Sequence, residues 1–283
     1  MMEVYRHKSR MQVKQNRTGE VEYLTFPLLE QTGLVRHLFS TRIGGVSEGI
    51  YNSMNLSYTR GDRKEAVDEN FRRIADVLGC KVGDIVCSDQ THTTNLRVVS
   101  HEDGGKGIVI PKDYRDVDGL LTDEPGLVLA TFYADCVPLY FVDTKNRAVA
   151  LAHSGWRGTV SRMVHSVIEK MQEVYGSKAE DIVAAIGPSI CQECYEVSED
   201  VAEAFIREFH MPGQEQEILI SKKNGKYQLN LWRANEIILT EAGVPREQIQ
   251  VTDLCTCHNS EYLFSHRASK GKRGNLGAFI GLL

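Results

Sequence analysis

Residues 131–159, TFYADCVPLYFVDTKNRAVALAHSGWRGT, hold two apolar runs separated by four polar residues. Val137 to Val142 is rich in branched and aromatic side chains. Asp143-Thr144-Lys145-Asn146 is turn chemistry, and Arg147 to Ala152 is small and β-branched. The pattern predicts a buried β-hairpin. The two open ends of a hairpin lie side by side. Cys136 precedes the first strand and His153 closes the second, so the two are brought together. A thiol beside an imidazole makes either a nucleophile–base pair or two ligands of a metal. Just beyond, Gly155 and Gly158 flank Trp156 and Arg157, residue types found where backbone approaches something closely.

Other strands are predicted at 20–26, 34–40, 85–88, 96–99, 126–132, 181–186 and 248–254, with a last one from Leu276. Helices are predicted at 62–78, where Asp62 and Glu65 have capping-box spacing, and at 159–175, where Gly176 stops the apolar stripe. Two more are expected behind Ser198 and Asn230 as N-caps. Strands and helices mix without the regular alternation of a doubly wound sheet, and no G-x-G-x-x-G follows a strand. No repeat or linker is visible, so 1–283 is read as one domain.

A net charge of -5 argues against a nucleic-acid-binding surface spread over the protein. No window is apolar enough to span a membrane. The charged N-terminus has no apolar core of a secretory signal, and seven cysteines are an odd count for a disulfide framework, so a reducing cytoplasm is expected. Cys191-x-x-Cys194 and Cys255-x-Cys257-His258 could together make a structural zinc site, but the second half lacks zinc-ribbon spacing and ordinary buried thiols are the favoured reading.

Three further features bear on chemistry. Arg42 beside Gly44 and Gly45 is either a turn with a solvated arginine or an anion nest. Gly104-Gly105-Lys106-Gly107 lacks the ending of a phosphate-binding P-loop and reads as a flexible loop. His92 sits in a polar loop between two strands. With Cys136 and His153 it makes three mixed ligands, spaced by 44 and 17 residues, that leave a fourth zinc position open. A Cys–His nucleophile remains the rival reading. No H-x-H pair occurs, which makes a multicopper site physically implausible. The deaminase pattern H-x-E with P-C-x-x-C does not occur.

The chain resembles the YlmD/YfiH-type laccase-domain family. The resemblance rests on Ser40-Thr41-Arg42-x-Gly44-Gly45-Val46-Ser47, Asn55-Leu56, Asn70, Gln90-x-His92, Asp118-Gly119, Ala134-Asp135-Cys136-Val137-Pro138, Ala152 to Gly158, Gly187-Pro188-x-Ile190, Tyr195-Glu196-Val197 and Ser265-x-Arg267. Thr93, His266 and Lys272 depart from the family pattern near the substrate pocket. The resemblance implies an α+β fold, a four-layer α/β/β/α sandwich with mixed β-sheets, and one zinc held by His92, Cys136 and His153. It implies phosphorolysis of adenosine, guanosine, inosine and methylthioadenosine, with deamination of adenosine. Nucleoside and phosphate are then the expected partners, with no nucleic acid and no membrane. Arg42 with the Gly44 and Gly45 amides is the first anion site expected, Arg157 the second. Asp135 is expected to orient a ligand histidine or to move protons. The alternative is a cytoplasmic amide hydrolase that removes a wrong amino acid from a muramic-acid precursor with the same residues.

Overall fold

The computed structural model describes residues 1–209 and 213–283. The chain runs through β1 (Lys14–Thr18), β2 (Val21–Thr25), β3 (Val35–Ser40), β4 (Ile85–Cys87) and β5 (Leu96–Val98). It continues through β6 (Gly119–Thr122), β7 (Val128–Tyr133), β8 (Val137–Asp143), β9 (Ala148–Ser154) and β10 (Ile182–Ile186). β11 (Glu196–Val197), β12 (Leu219–Ser221) and β13 (Tyr227–Leu229) are short, and β14 (Ile249–Val251) and β15 (Leu276–Leu282) complete the set. One six-stranded sheet has the order β1-β2-β3-β15-β7-β4 and the other β14-β10-β8-β9-β6-β5, with β11-β13-β12 apart. Both large sheets are mixed: β4/β7, β5/β6 and β10/β14 pair parallel, and their other pairs are antiparallel.

Side chains alternate across a strand, so each face of a strand buried on both sides joins a different layer. In β8, Leu139 and Phe141 pack outward against helices, while Tyr140 and Val142 face the opposing sheet. In β9, Ala150 and Ala152 face the helices and Val149 and Leu151 the opposing sheet. The helices covering that side are Met163–Tyr175, Glu199–Glu208 and Leu231–Glu241. The opposing sheet turns Leu129, Leu276 and Ile280 inward, and its Val128, Ala130 and Phe279 meet Phe71 and Ile74 of the helix Lys64–Leu78. The result is helix, sheet, sheet, helix: the expected α+β sandwich. Fully burying a large apolar side chain contributes about 1.5–3 kcal/mol. All of β8 and β9 is buried, so this hairpin is the frame that carries the site.

Several local expectations are corrected. The helix expected at 159–175 is two helices, Trp156–Val160 and Met163–Tyr175, with Arg162 between them at φ 56°. Arg162 is held there because its guanidinium bonds Glu208 at 2.5 Å, pairs with Glu241 and lies over Phe209. Asp62 does not cap the next helix, which starts at Lys64; its carboxylate accepts from Asn55 Nδ2 and Arg63 N instead. Ser198 stands at an N-cap but turns its hydroxyl to Asp200. Asn230 does cap its helix, accepting from Arg233 N at 3.0 Å. The glycine-rich 104–107 loop is not loose: Gly105 N donates to Ile85 O, and Cys87 N to Lys106 O.

Candidate functional site

Hairpin register places Val137 opposite Ser154 and Pro138 opposite His153, so Cys136, one residue further, reaches the His153 side chain. His92 comes from the loop after β4. Its backbone is left-handed at φ 68°, a conformation that is uncommon outside glycine. The buried Asp118 carboxylate holds that loop. It accepts from the amides of Thr91, His92 and Thr93 at 3.0–3.1 Å and from Thr93 Oγ1 at 3.0 Å. Gln90 ties the same loop to β7 by a reciprocal pair of bonds with the Phe132 backbone. The donor atoms of His92, Cys136 and His153 then all lie within 4.8 Å of one another. Gly155 completes the cradle: a Cβ there would stand 3.1 Å from Cys136 Sγ and 3.2 Å from His92 Cδ2.

Asp118 Oδ1 also bonds His153 Nδ1 at 2.8 Å, which leaves Nε2 for the sulfur side. Burial would raise the Asp118 carboxyl, but the His153 bond and the Thr91 and Thr93 amides outweigh it and hold it down at about 2. Burial likewise opposes ionisation of Cys136, yet the two imidazoles bring its thiol down to about 6. Burial pushes His153 down, but Cys136 and Asp118 more than reverse this and raise it. Such a thiolate with two imidazoles is a donor set suited to zinc, and the carboxylate behind one histidine fixes its tautomer. A cavity of about 960 Å³ opens beside the three. Arg60, Lys64, Lys112 and Arg273 line it, with Tyr58 and Phe132.

The other expected site residues fall elsewhere. Arg42 does not line this cavity. Its guanidinium donates to the carbonyls of Asn52 and Ser260 and lies over Phe264, and it borders two smaller hollows. Gly45 N is taken by Ser53 Oγ. A Cβ on Gly44 or Gly45 would run into the backbone of Glu20 or Ser53, so these glycines serve close packing rather than an anion. Arg157 is exposed and stacks on Trp156, outside the cavity. Asp135 touches neither histidine: it accepts from Thr256 Oγ1 at 2.6 Å and from Arg267 N at 2.7 Å. The orienting carboxylate is Asp118 instead. Reading by residue type passed it over. Its one sequence signal is the Asp118-Gly119 pair, and its role depends on β6 pairing with β9. Arg60 and Arg273 carry no sequence signal that separates them from their basic neighbours, Arg63 and Lys64 in one case and Lys270 and Lys272 in the other.

Cys191, Cys194 and Cys255, favoured from sequence as ordinary buried thiols, come together with His258 as a second cluster that could hold a metal ion.

A family model described as multi-copper polyphenol oxidoreductase laccase matches residues 36–283. Purine nucleoside phosphorylase YlmD of Bacillus subtilis is 36% identical over 250 residues, covering 86% of this chain and 87% of that protein. A purine nucleoside phosphorylase of Bacteroides thetaiotaomicron is 35% identical over 266 residues, covering 92% and 96%. Among solved structures, the hypothetical protein YfiH of Bacillus licheniformis superposes with a TM-score of 0.88 at 35% identity, over 95% of this chain and 99% of that one. YlmD of Geobacillus stearothermophilus gives 0.86 at 33% identity, over 95% and 98%.

Proposed function

The chain belongs to the laccase-domain family of YlmD and YfiH, and on that footing we propose that it is a zinc-dependent purine nucleoside phosphorylase. The substrates are adenosine, guanosine, inosine and methylthioadenosine, and the same site deaminates adenosine. The observation that carries this reading is the meeting of His92, Cys136 and His153 with a basic wall in one cavity. His92, Cys136 and His153 would hold the zinc, which supplies Lewis acidity at the position they leave open.

The chain's other residues bind and place the reactants. Phosphorolysis joins a phosphate oxygen to C1′ as the bond from C1′ to the purine breaks, so a phosphate must be held against the ribose. Arg60 and Arg273 suit that task better than Arg42. Arg273 is buried, and its Nε has no hydrogen-bond partner among the described residues. Neither guanidinium makes an ion pair with a carboxylate among the described residues, whereas Lys64 and Lys112 are paired to Asp68 and Asp89. Burial and the facing Arg60 lower Arg273 to about 10, which leaves it charged at neutral pH. A dianion between two like charges relieves their repulsion. The half-buried Phe132 and Tyr58 offer flat apolar surface to a purine. No helix among the described residues is long and apolar enough to cross a membrane, and all seven cysteines are free, which suits a reducing cytoplasm.

Arg60 is exposed, so Arg60→Met leaves the core intact. A hydrogen bond to a charged group is worth about 1.5–3 kcal/mol, so the substitution should raise the KM for phosphate about tenfold or more. Zinc content should not change. An unaltered phosphate KM in Arg60→Met would remove the anion site from this wall. Absence of nucleoside turnover in the zinc-loaded wild type, with cleavage of an aminoacyl muramic-acid precursor, would replace the phosphorylase reading by the amide-hydrolase one.

A further inference from the structure

The cluster formed by Cys191, Cys194, Cys255 and His258 lies outside the cavity, and nothing in the proposed reaction uses it. Its donor atoms all lie within 4.8 Å of one another. Around a tetrahedral zinc, with Zn–S of about 2.3 Å and Zn–N of about 2.0–2.1 Å, neighbouring donors stand about 3.5–3.8 Å apart. Cys191 Sγ and His258 Nδ1 are already 3.7 Å apart. Closure on an ion therefore needs small side-chain shifts and no rebuilding of backbone.

The backbone brings the two halves together without help from the side chains. Ser189 and Cys255 form a parallel bridge, and Thr256 N donates to Ser189 O at 3.1 Å. Cys191 and Cys194 sit at the two ends of a tight 3-10 turn, Gln192–Cys194. Cys255 opens a second turn, closed by Asn259 N on Cys255 O at 3.1 Å. Each half thus presents a pair of ligands three residues apart, Cys191-x-x-Cys194 and Cys255-x-x-His258. This is the short spacing of structural zinc sites. Cys257, which spoils the pattern when the second half is read as Cys-x-Cys-His, is not one of the four.

Two details fit metal-bound thiolates better than dispersed core thiols. The amides of Cys191 and His258 both point at Cys255 Sγ, at 3.3 and 3.5 Å. Sulfur is a weak acceptor as a thiol and a good one as an anion. His258 turns Nδ1 to the sulfur of Cys191 and Nε2 to Glu193 Oε2 at 3.8 Å. Glu193 stands beyond hydrogen-bond distance there, on the side from which a carboxylate supports a ligating histidine. His7 packs against the same ring at 5.5 Å, and its buried Nε2 has no hydrogen-bond partner among the described residues.

We propose that Cys191, Cys194, Cys255 and His258 form a second, structural zinc site, closed by four protein ligands and separate from the His92, Cys136 and His153 centre. Three sulfurs and one imidazole in tetrahedral array select zinc and leave no position for substrate. The ion clamps the loop after β10 to the loop after β14. Thr256, inside the second loop, donates to Asp135 beside Cys136, so the clamp also braces the end of the hairpin that carries the first centre.

The test is metal analysis of the full-length protein, purified under reducing conditions without chelator. Wild type should hold about two zinc equivalents, and Cys136→Ser about one. The double variant Cys194→Ser/His258→Ala should also hold about one. Cobalt substituted into Cys136→Ser protein should show the absorption of a tetrahedral ion with several thiolate ligands. Loss of all zinc in Cys136→Ser would overturn the second site while leaving the first. If the double variant fails to fold, thiol labelling of Cys136→Ser decides. Zinc should shield Cys191, Cys194 and Cys255, and chelation should expose them; labelling indifferent to chelator would contradict the proposal. None of these readings depends on nucleoside turnover.

Discussion

Asp118 is the residue on which the site turns. Its two oxygens collect three loop amides, a threonine hydroxyl and the Nδ1 of His153. One carboxylate therefore sets both the loop that carries His92 and the orientation of His153. Asp118→Asn keeps the shape but loses the charge that favours His153 as a donor at Nδ1. Changes of this kind cost about 10–100-fold in metal affinity. We predict a loss in that range for the His92, Cys136 and His153 centre, read by competition with a chromogenic chelator, with the fold intact by circular dichroism. Unchanged affinity would show that the loop, not the carboxylate, fixes the ligands. Residue identity exposed Cys136 and His153, because strand pairing across a short turn is local. It did not expose Asp118, which meets His153 only through the pairing of Gly119 with Ala152. Arg42 shows the converse: glycines beside an arginine look alike in sequence whether they cradle an anion or let two backbones touch.

At the scale of elements, the hairpin β8–β9 was legible because both strands are apolar along their whole length and the turn between them is polar. The breaks were not. The left-handed residue at Arg162 depends on Glu208 and Glu241, which lie on other helices. A second feature of element pairing gives a pH prediction. His37 in β3 is buried, and its Nε2 accepts from Phe26 N at 2.8 Å, which joins β3 to the end of β2. Burial lowers its pKa to about 4, against 6.5 for the free side chain. The folded state thus binds fewer protons than the unfolded state between those values. The contribution is fully present above about pH 6.5 and is lost as pH falls towards about 4, a change of about 3 kcal/mol at about 1.4 kcal/mol per unit. His37→Gln keeps an acceptor for Phe26 but does not titrate. Urea unfolding at several pH values should show a shallower decline for the variant than for wild type over that window. Equal slopes would mean that folding does not lower the His37 pKa.

For the whole molecule, the four layers leave the hairpin between helices and the opposing sheet, with its open end at the cavity. That architecture was legible only through the family resemblance, since period-2 runs and amphipathic stripes mark strands and helices but not the order in which they stack. Which basic residues wall the cavity was not, because Arg60 and Arg273 are 213 positions apart in sequence. On the proposed function, this cavity transfers the ribosyl group of a purine nucleoside to phosphate. Phosphorus NMR of adenosine with inorganic phosphate and the zinc-loaded protein tests it most directly. Ribose 1-phosphate should grow in step with the sum of free adenine and hypoxanthine, none of the three should form when phosphate is left out, and all should vanish in His153→Ala. Adenine released while the phosphate signal stays constant would mean hydrolysis by water and would contradict it.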